Sequence, residues 1–401
     1  MAERPVTPEE AEVLDRISRE EVAELTRALV RAPGENPPGG EEATVAVLAE
    51  AGGAAGLGCT LAEVEPGREN LSLTLPGGPG PGLLLLGHTD VVPVGEGWSV
   101  DPVGGLVRGG RMFGRGTTDM KGGLAACVVA MAALRGSGVP LSGAVELAAL
   151  VDEEETGKGI RHYLAAQDRS HFRGCVVAEP TDLQTIVAAR GDAYLRFAVR
   201  GRAAHSGNPD DGVNAIYGAA AVVADLEAWQ RELAQDPHPF VGPPTWSVGR
   251  IHGGTGTSIV PAECVVDVDR RLLPHEVADD VLKAVTERLA SLRLEERGLG
   301  VDVQVTMEMP GFETATDHRF VTVTDRALTA AGGPALPLGG WTAACDGGFV
   351  ARDAGLPVVV LGPGSVADQA HRADESVALD DLLVAARTYA LTAMRILREQ
   401  P

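Results

Sequence analysis

Residues 83–90, LLLLGHTD, contain four consecutive leucines that run into a histidine and an aspartate. A continuous apolar run of this length is typical of a strand that is buried on both faces of a parallel sheet. Similar short runs occur at 70–75, 144–151 and 174–179, and a segment with helical periodicity lies between them at 121–136. Strands that alternate with helices predict an α/β fold with a mixed, mostly parallel sheet and helices on both faces.

The same α/β pattern extends towards both ends of the chain. Apolar residues at helical spacing predict helices within 8–32 and at 42–56. Towards the other end, an apolar run predicts a strand at 358–361, and helical spacing predicts a final helix at 379–399. These segments enclose a middle part of different character.

This middle part predicts a second, smaller domain. Its elements follow the order strand, helix, strand, strand, helix, strand, which is typical of a ferredoxin-like α+β unit. The expected strands are 192–200, 245–252, 263–272 and 301–309, and the expected helices are 212–235 and 276–293. We therefore predict a discontinuous α/β domain, 1–188 and 308–401, that is interrupted by an inserted domain at 189–307.

Charge and cysteine content exclude several classes of function. The 401 residues carry 56 acidic and 34 basic side chains, a formal net charge of −22. A charge of this sign repels nucleic acid and anionic membranes, so we expect neither as a partner. The five cysteines are widely spaced and form no Cys-x-x-Cys pair, which is typical of reduced thiols. Because the N-terminal residues also lack the apolar core of a signal peptide, we expect a cytoplasmic location.

Histidines and carboxylates follow several of the predicted strands. They are His88, Asp90, Asp119, the acidic run 152–155, Glu179 and His371. Taken alone, a histidine after a strand is typical of a hydrogen-bonded surface residue, Asp119 of an acid at a helix N-terminus, and the acidic run of a solvated turn. However, the carboxyl ends of strands in an open α/β sheet are where ligands bind. Imidazole and carboxylate are ligands that zinc accepts, and a carboxylate that bridges two ions holds them ~3.5–4 Å apart. The ordered set therefore predicts a two-metal hydrolytic site.

The motifs around these residues resemble those of a known family. This is the family of dinuclear-zinc amidohydrolases and peptidases (peptidase family M20) that includes acetylornithine deacetylase, succinyl-diaminopimelate desuccinylase, aminoacylase and glutamate carboxypeptidase. The matching stretches occur in the family's order and span nearly the whole chain: LLLLGHTDVVP, GRGTTDMKGG, VDEEETGKG, AEPTD, GRAAHSG, DRRLLP and GPG followed by QAHRADE. The resemblance implies a zinc-exopeptidase-like catalytic domain and an inserted lid or dimerisation domain.

The resemblance also implies the cofactor and the catalytic groups. Two Zn²⁺ ions per subunit are expected, for which Co²⁺ can substitute. The implied ligands are His88 and Glu179 for one ion, Glu154 and His371 for the other, and Asp119 for both. Asp90 is expected to orient His88, and Glu153 is expected to act as the general base.

The acidic run allows two alignments with the family motif. In the ungapped alignment, which we prefer, Glu153 is the base and Glu154 is the ligand. A shift by one residue makes Glu154 the base and Glu155 the ligand.

Five further positions are implied to act on the substrate. His205 in GRAAHSG resembles a family histidine that reaches across a dimer interface into the partner's active site, so a homodimer through the inserted domain is expected. Arg271 matches an arginine that binds the substrate carboxylate, with the adjacent Arg270 as the alternative. Ser258 stands where many members carry asparagine, so its contact with substrate is an open point. Backbone amides at the glycines of the GPG stretch complete the set, Gly362 and Gly364.

The expected reaction is hydrolysis of the amide bond of an N-acyl amino acid. A dipeptidase or carboxypeptidase that uses the same site is the alternative within the class, and a metal-free, non-catalytic scaffold is a remote one. A nucleotide-binding enzyme is disfavoured, because GKG at 157–159 lacks the glycine-rich lead and the Ser/Thr of a phosphate-binding loop. The sequence leaves open which acyl group and which side chain are accepted.

Overall fold

The computed structural model describes residues 5–398, which form two compact units. The first unit comprises residues up to 187 together with 314–339 and 349–398, and the second comprises 188–313 and 340–348. The ends of the predicted α/β domain, 1–4 and 399–401, lie outside the described residues, as does the last residue of the predicted final helix.

The helices and strands are as follows. The chain first forms α1 (Pro8–Leu14), α2 (Arg19–Arg31), α3 (Glu42–Ala54), β1 (Gly58–Glu65), β2 (Arg68–Leu75), β3 (Gly82–His88), β4 (Leu106–Arg108), β5 (Arg111–Phe113), α4 (Lys121–Ser137), β6 (Val145–Leu150), α5 (Lys158–Ala166), β7 (Phe172–Val177) and β8 (Ile186–Ala189). It continues with β9 (Gly191–Arg200), β10 (Ala204–His205), α6 (Ala215–Leu233), β11 (Thr245–Gly253), β12 (Ile259–Val260), β13 (Glu263–Leu272), α7 (Ala278–Ser291), β14 (Gly300–Met309) and β15 (Phe312–Glu313). The last elements are α8 (Arg319–Ala330), β16 (Gly339–Trp341), α9 (Gly347–Ala354), β17 (Val358–Val360), β18 (Ser376–Ala378) and α10 (Leu379–Ile396).

The first unit is built on a mixed sheet with the order β1-β2-β6-β3-β7-β17-β8. Its centre is parallel, because β3 pairs in parallel with β6 and β7, and β7 pairs in parallel with β17. Every residue of β3 is buried, so both faces of this central strand are covered, as the run of four leucines predicts. The predicted α/β fold class is confirmed.

Helix α4 lies against this sheet and begins two residues after Asp119. It is apolar on almost all sides, and most of its residues are buried. Close packing requires a glycine at its start, because a Cβ atom at Gly123 would lie 2.1 Å from the carbonyl oxygen of Ala178. The first turn of α4 is therefore pressed against the chain that leaves β7.

The second unit contains a four-stranded antiparallel sheet with the order β11-β13-β9-β14. Helices α6 and α7 pack on it, and together they enclose a hydrophobic core that includes Phe197, Val222, Val266 and Val285. This strand order and the element order β9-α6-β11-β13-α7-β14 are those of a ferredoxin-like unit. The predicted insertion, 189–307, lies within this unit, which also contains 340–348.

Several elements are absent from the sequence-based prediction. Strand β1 is largely exposed and has no apolar run, so its periodicity is weak. Strands β4, β5 and β18 form a separate small sheet of three-residue strands, too short for a periodic signal. Within residues 5–398, no helix combines the length and the apolar character that crossing a membrane requires.

Candidate metal centre

Two groups of histidine and carboxylate side chains lie in the first unit. One contains His88, Asp119 and Glu179, and the other contains Asp119, Glu154 and His371. In each group the possible ligand atoms lie within 4.8 Å of one another. Asp119 belongs to both groups, so its carboxylate joins them into one centre.

Parallel strands explain why these side chains meet. His88 is the last residue of β3, while Glu154 and Glu179 follow its two neighbours, β6 and β7. The carboxyl ends of parallel strands lie at one edge of a sheet, where open α/β folds bind ligands. Asp119 comes from the segment before α4, and His371 comes from the loop between β17 and β18.

The two imidazoles face the two oxygens of the shared carboxylate. His88 Nε2 lies 3.1 Å from Asp119 Oδ1, and His371 Nε2 lies 3.3 Å from Asp119 Oδ2. His88 Nε2 is also 3.4 Å from Glu179 Oε1, and His371 Nε2 is 3.1 Å from Glu154 Oε2. Each imidazole nitrogen thus faces two carboxylates, a set of N and O donors suited to a divalent cation.

The carboxylates of the centre lie close enough together that nearby positive charge stabilises them. Hydrogen bonds to Asp119 and Glu154 raise the pKa of His371 to about 10. Burial, followed by the charge of Asp119, raises the pKa of Glu179 to about 7 and also raises the pKa of Glu154. Carboxylates crowded together in this way repel one another, and cations between them relieve the repulsion.

An orphaned atom gives a direct test of whether a cation fits. Glu154 Oε1 is buried and has no hydrogen-bond partner among residues 5–398. A buried carboxylate oxygen without a partner is costly, whereas coordination of a metal ion satisfies it. The donor set and this oxygen both fit a metal centre at these residues.

The other ring nitrogen of His88 faces Asp90. His88 Nδ1 lies 2.9 Å from the Asp90 carbonyl oxygen, which can only accept a hydrogen bond. The proton of a neutral imidazole is therefore on Nδ1, and the lone pair of Nε2 points at the centre. The Asp90 carboxylate accepts hydrogen bonds from the backbone amides of Glu153 and Glu154 at 3.2 and 3.1 Å, so it also shapes the acidic turn.

The four acidic residues of the turn, 152–155, differ in how far they are buried. Glu153 is 9% exposed and the side chain of Glu154 is 7% exposed, whereas Glu155 is exposed. Asp152 has a φ of +69° and accepts hydrogen bonds from the hydroxyl of Thr156 and from Arg68 Nη1, the latter at 2.9 Å. Asp152 is thus occupied with holding the turn.

Asn36 is a further member of this region that the sequence analysis did not identify. Its Nδ2 donates to Asp90 Oδ2 at 2.9 Å and to Asp152 Oδ1 at 3.0 Å, and its side chain is buried. It ties the turn after β3 to the turn after β6. No motif marked Asn36, because its partners are distant in the sequence and contact it only through the fold.

The sequence-predicted residues His205, Arg271 and Ser258 belong to the second unit. His205 is exposed at the end of β10, and its Nδ1 accepts a hydrogen bond from the Gly207 amide at 3.0 Å. Ser258 is exposed, and its carbonyl oxygen accepts from the Ser206 amide at 3.0 Å.

The two candidate arginines have different surroundings. Arg270 is fully buried, lies over the ring of Trp246 and donates to Glu276 at 2.7 Å. The side chain of Arg271 is 30% exposed and pairs with two carboxylates, Asp192 at 3.3 Å and Asp269 at 3.0 Å.

The GPG stretch lies beside Glu179 in the first unit. A Cβ atom at Gly362 would be 2.5 Å from the carbonyl oxygens of Ala178 and Glu179, so this position requires glycine. The Gly362 amide donates to Thr181 Oγ1 at 3.2 Å, which occupies that donor. Gly364 has a φ of +87°, a conformation that favours glycine.

Comparison with known proteins identifies the class. The chain is 33% identical over 325 residues to the acetylornithine deacetylase of Photorhabdus laumondii, which covers 79% of this chain and 81% of that protein. It is 33% identical over 349 residues to the acetylornithine deacetylase of Vibrio vulnificus, covering 85% of this chain and 88% of that protein. With the candidate metal centre, these relatives define the class as a metal-dependent amide hydrolase.

The family follows from a match over most of the chain. The sequence model of Peptidase family M20/M25/M40 matches residues 84–395, and the chain belongs to this family. Its fold is similar to that of aminopeptidase PepT from Bacillus cereus, with a TM-score of 0.77, 24% identity and coverage of 96% of this chain and 100% of that one. It is also similar to an M20 family metallo-carboxypeptidase from Sulfolobus solfataricus, with a TM-score of 0.77, 18% identity and coverage of 94% and 99%. The predicted family resemblance is confirmed.

Proposed function

We propose that this protein hydrolyses the amide bond of an N-acyl amino acid with the help of two zinc ions. The observation that carries the proposal is the Asp119 carboxylate, which the two ligand groups share. A carboxylate with one histidine at each oxygen matches the bridging ligand of a two-metal hydrolase. The acetylornithine deacetylases that match most of the chain support deacylation as the reaction.

We assign His88 and Glu179 to one ion, Glu154 and His371 to the other, and Asp119 to both. The short distance between Glu154 Oε2 and His371 Nε2, 3.1 Å, supports Glu154 as the ligand of the acidic run. The exposure of Glu155 argues against the alignment that makes it a ligand. Cobalt accepts the same nitrogen and oxygen donors and is expected to substitute for zinc.

When bound, the cations supply Lewis-acid polarisation of the substrate carbonyl and lower the pKa of an attacking water. Glu153 then serves as the general base: its carboxylate accepts the proton of that water and delivers it to the leaving amine. Asp90 holds Glu153 in place through the backbone amide, at 3.2 Å.

Substrate recognition is assigned to an arginine, a serine and the glycines of the GPG stretch. Arg271 presents a planar fork suited to a carboxylate, and its pairing with Asp192 and Asp269 restricts the orientation of that fork. Ser258, through its hydroxyl, and Gly362 and Gly364, through their backbone amides, stay proposed contacts. At Gly362 the substrate carboxylate would have to replace Thr181 Oγ1, which accepts from this amide at 3.2 Å.

We further propose that the protein is a homodimer formed by the second unit. Within the described residues β11 pairs only with β13, so its outer edge is open, and β11 exposes Val248 and Ile251. Tyr217 and Ile259 add exposed apolar surface, and Ile259 is the strand partner of His205. An open edge with apolar side chains suits a two-fold contact with a second copy, which is how His205 would reach the partner's active site.

A dipeptidase or carboxypeptidase that uses the same centre is the second candidate. The structural relatives with peptidase names share the fold at low identity, and the fold alone does not select between a peptide and an N-acyl amino acid. A metal-free scaffold is disfavoured by the presence of a complete ligand set and of Glu153. None of the five cysteines is in a disulfide, which supports the proposed reducing, cytoplasmic location.

One experiment separates these candidates. The protein is stripped with a chelator and reconstituted with Zn²⁺ or Co²⁺, and amine release is followed on N-acetyl, N-succinyl and N-formyl amino acids and on dipeptides. We expect metal-dependent turnover, with N-acyl amino acids cleaved faster than dipeptides. Faster cleavage of dipeptides would favour the peptidase, and an absence of both metal binding and turnover would favour the scaffold.

A further inference from the structure

Glu375 is a fully buried carboxylate beside the candidate metal centre, and the function proposed above gives it no role. Its Oε1 accepts hydrogen bonds from the backbone amides of Thr118 at 2.8 Å and Asp119 at 3.1 Å. Its Oε2 accepts from Arg115 Nη1 at 2.6 Å. Three donors, one of them charged, hold this carboxylate in place.

These bonds join two segments that carry ligands of the centre. Glu375 lies four residues after His371 in the loop between β17 and β18. Its carboxylate is hydrogen-bonded to the segment that precedes α4 and carries Asp119. Arg115, from this second segment, also donates to the carbonyl oxygen of Arg372 at 3.4 Å. The His371 loop is therefore tied to the Asp119 segment on both sides of residue 373.

The loop needs such a tie, because its backbone is strained. His371 and Asp374 have φ values of +61° and +57°, which residues other than glycine seldom adopt. Conformations of this kind persist only where the surrounding structure holds them. A second tie supports the same segment, since the Asp374 carboxylate accepts from the amide and hydroxyl of Ser99 at 2.8 and 2.7 Å.

We propose that Glu375 is a positioning residue that sets Asp119 and His371 relative to each other, and so secures the second cation of the centre. This inference rests on the two-metal function proposed above. The second cation is the one held by Glu154 and His371 together with Asp119. Glu375 touches neither cation and acts through the backbone that carries two of these three ligands.

The two metal positions depend on Glu375 to different extents. His88 ends a buried central strand and is oriented by the Asp90 carbonyl, and Glu179 directly follows the neighbouring strand. The His88–Glu179 position therefore keeps two ligands fixed by the sheet when Glu375 is changed. The Glu154–His371 position keeps only one ligand, Glu154, that does not depend on Glu375. When Glu375 is changed, the metal affinity of this position should therefore fall much further than that of the His88–Glu179 position.

Glu375→Gln is the variant that tests this dependence. Glutamine has almost the same volume, but its amide group carries two donors, which must face either Arg115 or the two backbone amides. Asp368→Asn is the matched control, because Asp368 is an exposed acid in the same loop and its substitution removes the same charge. The measurement is equilibrium dialysis of the stripped full-length proteins against Zn²⁺ at a series of concentrations.

We expect two tightly bound Zn²⁺ ions in the wild type and in Asp368→Asn. In Glu375→Gln one ion should stay tight, and the other should bind about 10- to 100-fold more weakly, the usual effect of losing a residue that orients a metal ligand. Two ions bound with wild-type affinity in Glu375→Gln would overturn the inference and leave the proposed function intact. A wild type that binds fewer than two ions would instead overturn the two-metal function.

Circular dichroism shows whether Glu375→Gln is folded. If it is not, a second variant tests the same inference. Arg115→Lys keeps the charge opposite Glu375 but replaces the guanidinium fork with a single ammonium group. Arg115→Lys should weaken binding of the second zinc ion less than Glu375→Gln does, and the affinity for the first ion should be unchanged. Equal weakening of both ions in Arg115→Lys would show a general structural role and contradict selective positioning.

Discussion

The Nε2 atom of His88 lies 3.1 Å from the Oδ1 atom of Asp119, a residue 31 positions further along the chain. The other oxygen of the same carboxylate faces His371, so one side chain connects ligands from the middle of the sheet and from a late loop. The proposed chemistry depends on this connection.

Glu153 should be essential for turnover and dispensable for metal binding. Glu153→Gln removes the proposed base but leaves the backbone bond to Asp90 in place, so kcat should fall by about two orders of magnitude or more. Metal analysis should still find two zinc ions per chain. Glu155→Gln, which changes an exposed acid in the same turn, is the matched control and should keep both activity and metal. Loss of metal in Glu153→Gln, or in the control, would favour a different alignment of the acidic run.

Asp119→Ala should disturb both metal positions, because both ligand groups contain Asp119. We expect neither ion to stay tightly bound, whereas Glu179→Ala should weaken chiefly the ion next to His88. Zinc titration monitored by calorimetry measures the number and affinity of the ions in each variant. Two tightly held ions in Asp119→Ala would contradict the bridging assignment.

Zinc affinity should increase with pH. Asp119 and Glu154 raise the pKa of His371 to about 10 in the metal-free protein, so this imidazole carries a proton at neutral pH. A metal ligand must be deprotonated, so zinc has to displace that proton, and each displaced proton makes the affinity up to about tenfold stronger per pH unit. The sign follows from the raised pKa, since acid favours the protonated, metal-free form. Calorimetry in buffers of different ionisation enthalpy should detect the released protons, and pH-independent affinity would contradict the assignment of His371.

Gly123→Ala should destabilise the first unit, because its Cβ would lie 2.1 Å from the Ala178 carbonyl oxygen. Overpacking of this kind costs about 1–3 kcal/mol of unfolding free energy. Gly136→Ala in the same helix is the control. A Cβ atom at Gly136 would lie 3.6 Å from the flexible end of the Arg16 side chain. This substitution should therefore raise the free energy of unfolding by up to about 1 kcal/mol. Urea unfolding of both variants measures the difference, and equal stability would show that α4 can move away from the strand end.

Mixed dimers test whether His205 acts in the partner's active site. Homodimers of His205→Ala and of Glu153→Ala should each be inactive. In a mixed dimer one site would combine the intact Glu153 of one chain with the intact His205 of the other. With random exchange and independent sites, mixing should therefore restore up to about a quarter of wild-type activity. No recovery despite demonstrated subunit exchange would remove His205 from the partner's site.

Much of the fold could be predicted because its main elements have strong local periodicity. The run 83–86 predicts the buried strand β3, and the alternation at 192–200 predicts β9, which spans Gly191–Arg200. Strand β1 could not be predicted, since it is an exposed strand held mainly by its pairing with β2. The small sheet of β4, β5 and β18 joins distant parts of the chain, so no local sequence pattern predicts it.

The chemical groups at the ends of the central strands are evident from local sequence patterns. Apolar runs define where those strands end, and the residue types that follow, such as His88 and Glu179, are typical of metal ligands. Local patterns were sufficient because strand formation and burial depend on neighbouring residues.

The groups that hold the proposed ligands in place are evident only in the folded chain. Asn36 reaches Asp90 across 54 residues, and Glu375 reaches the Asp119 amide across 256. These contacts depend on how loops pack over the sheet edge, and a buried polar group finds its partner only after that packing has formed. A sequence motif names the donors and acceptors, but the geometry that pairs them belongs to the folded chain.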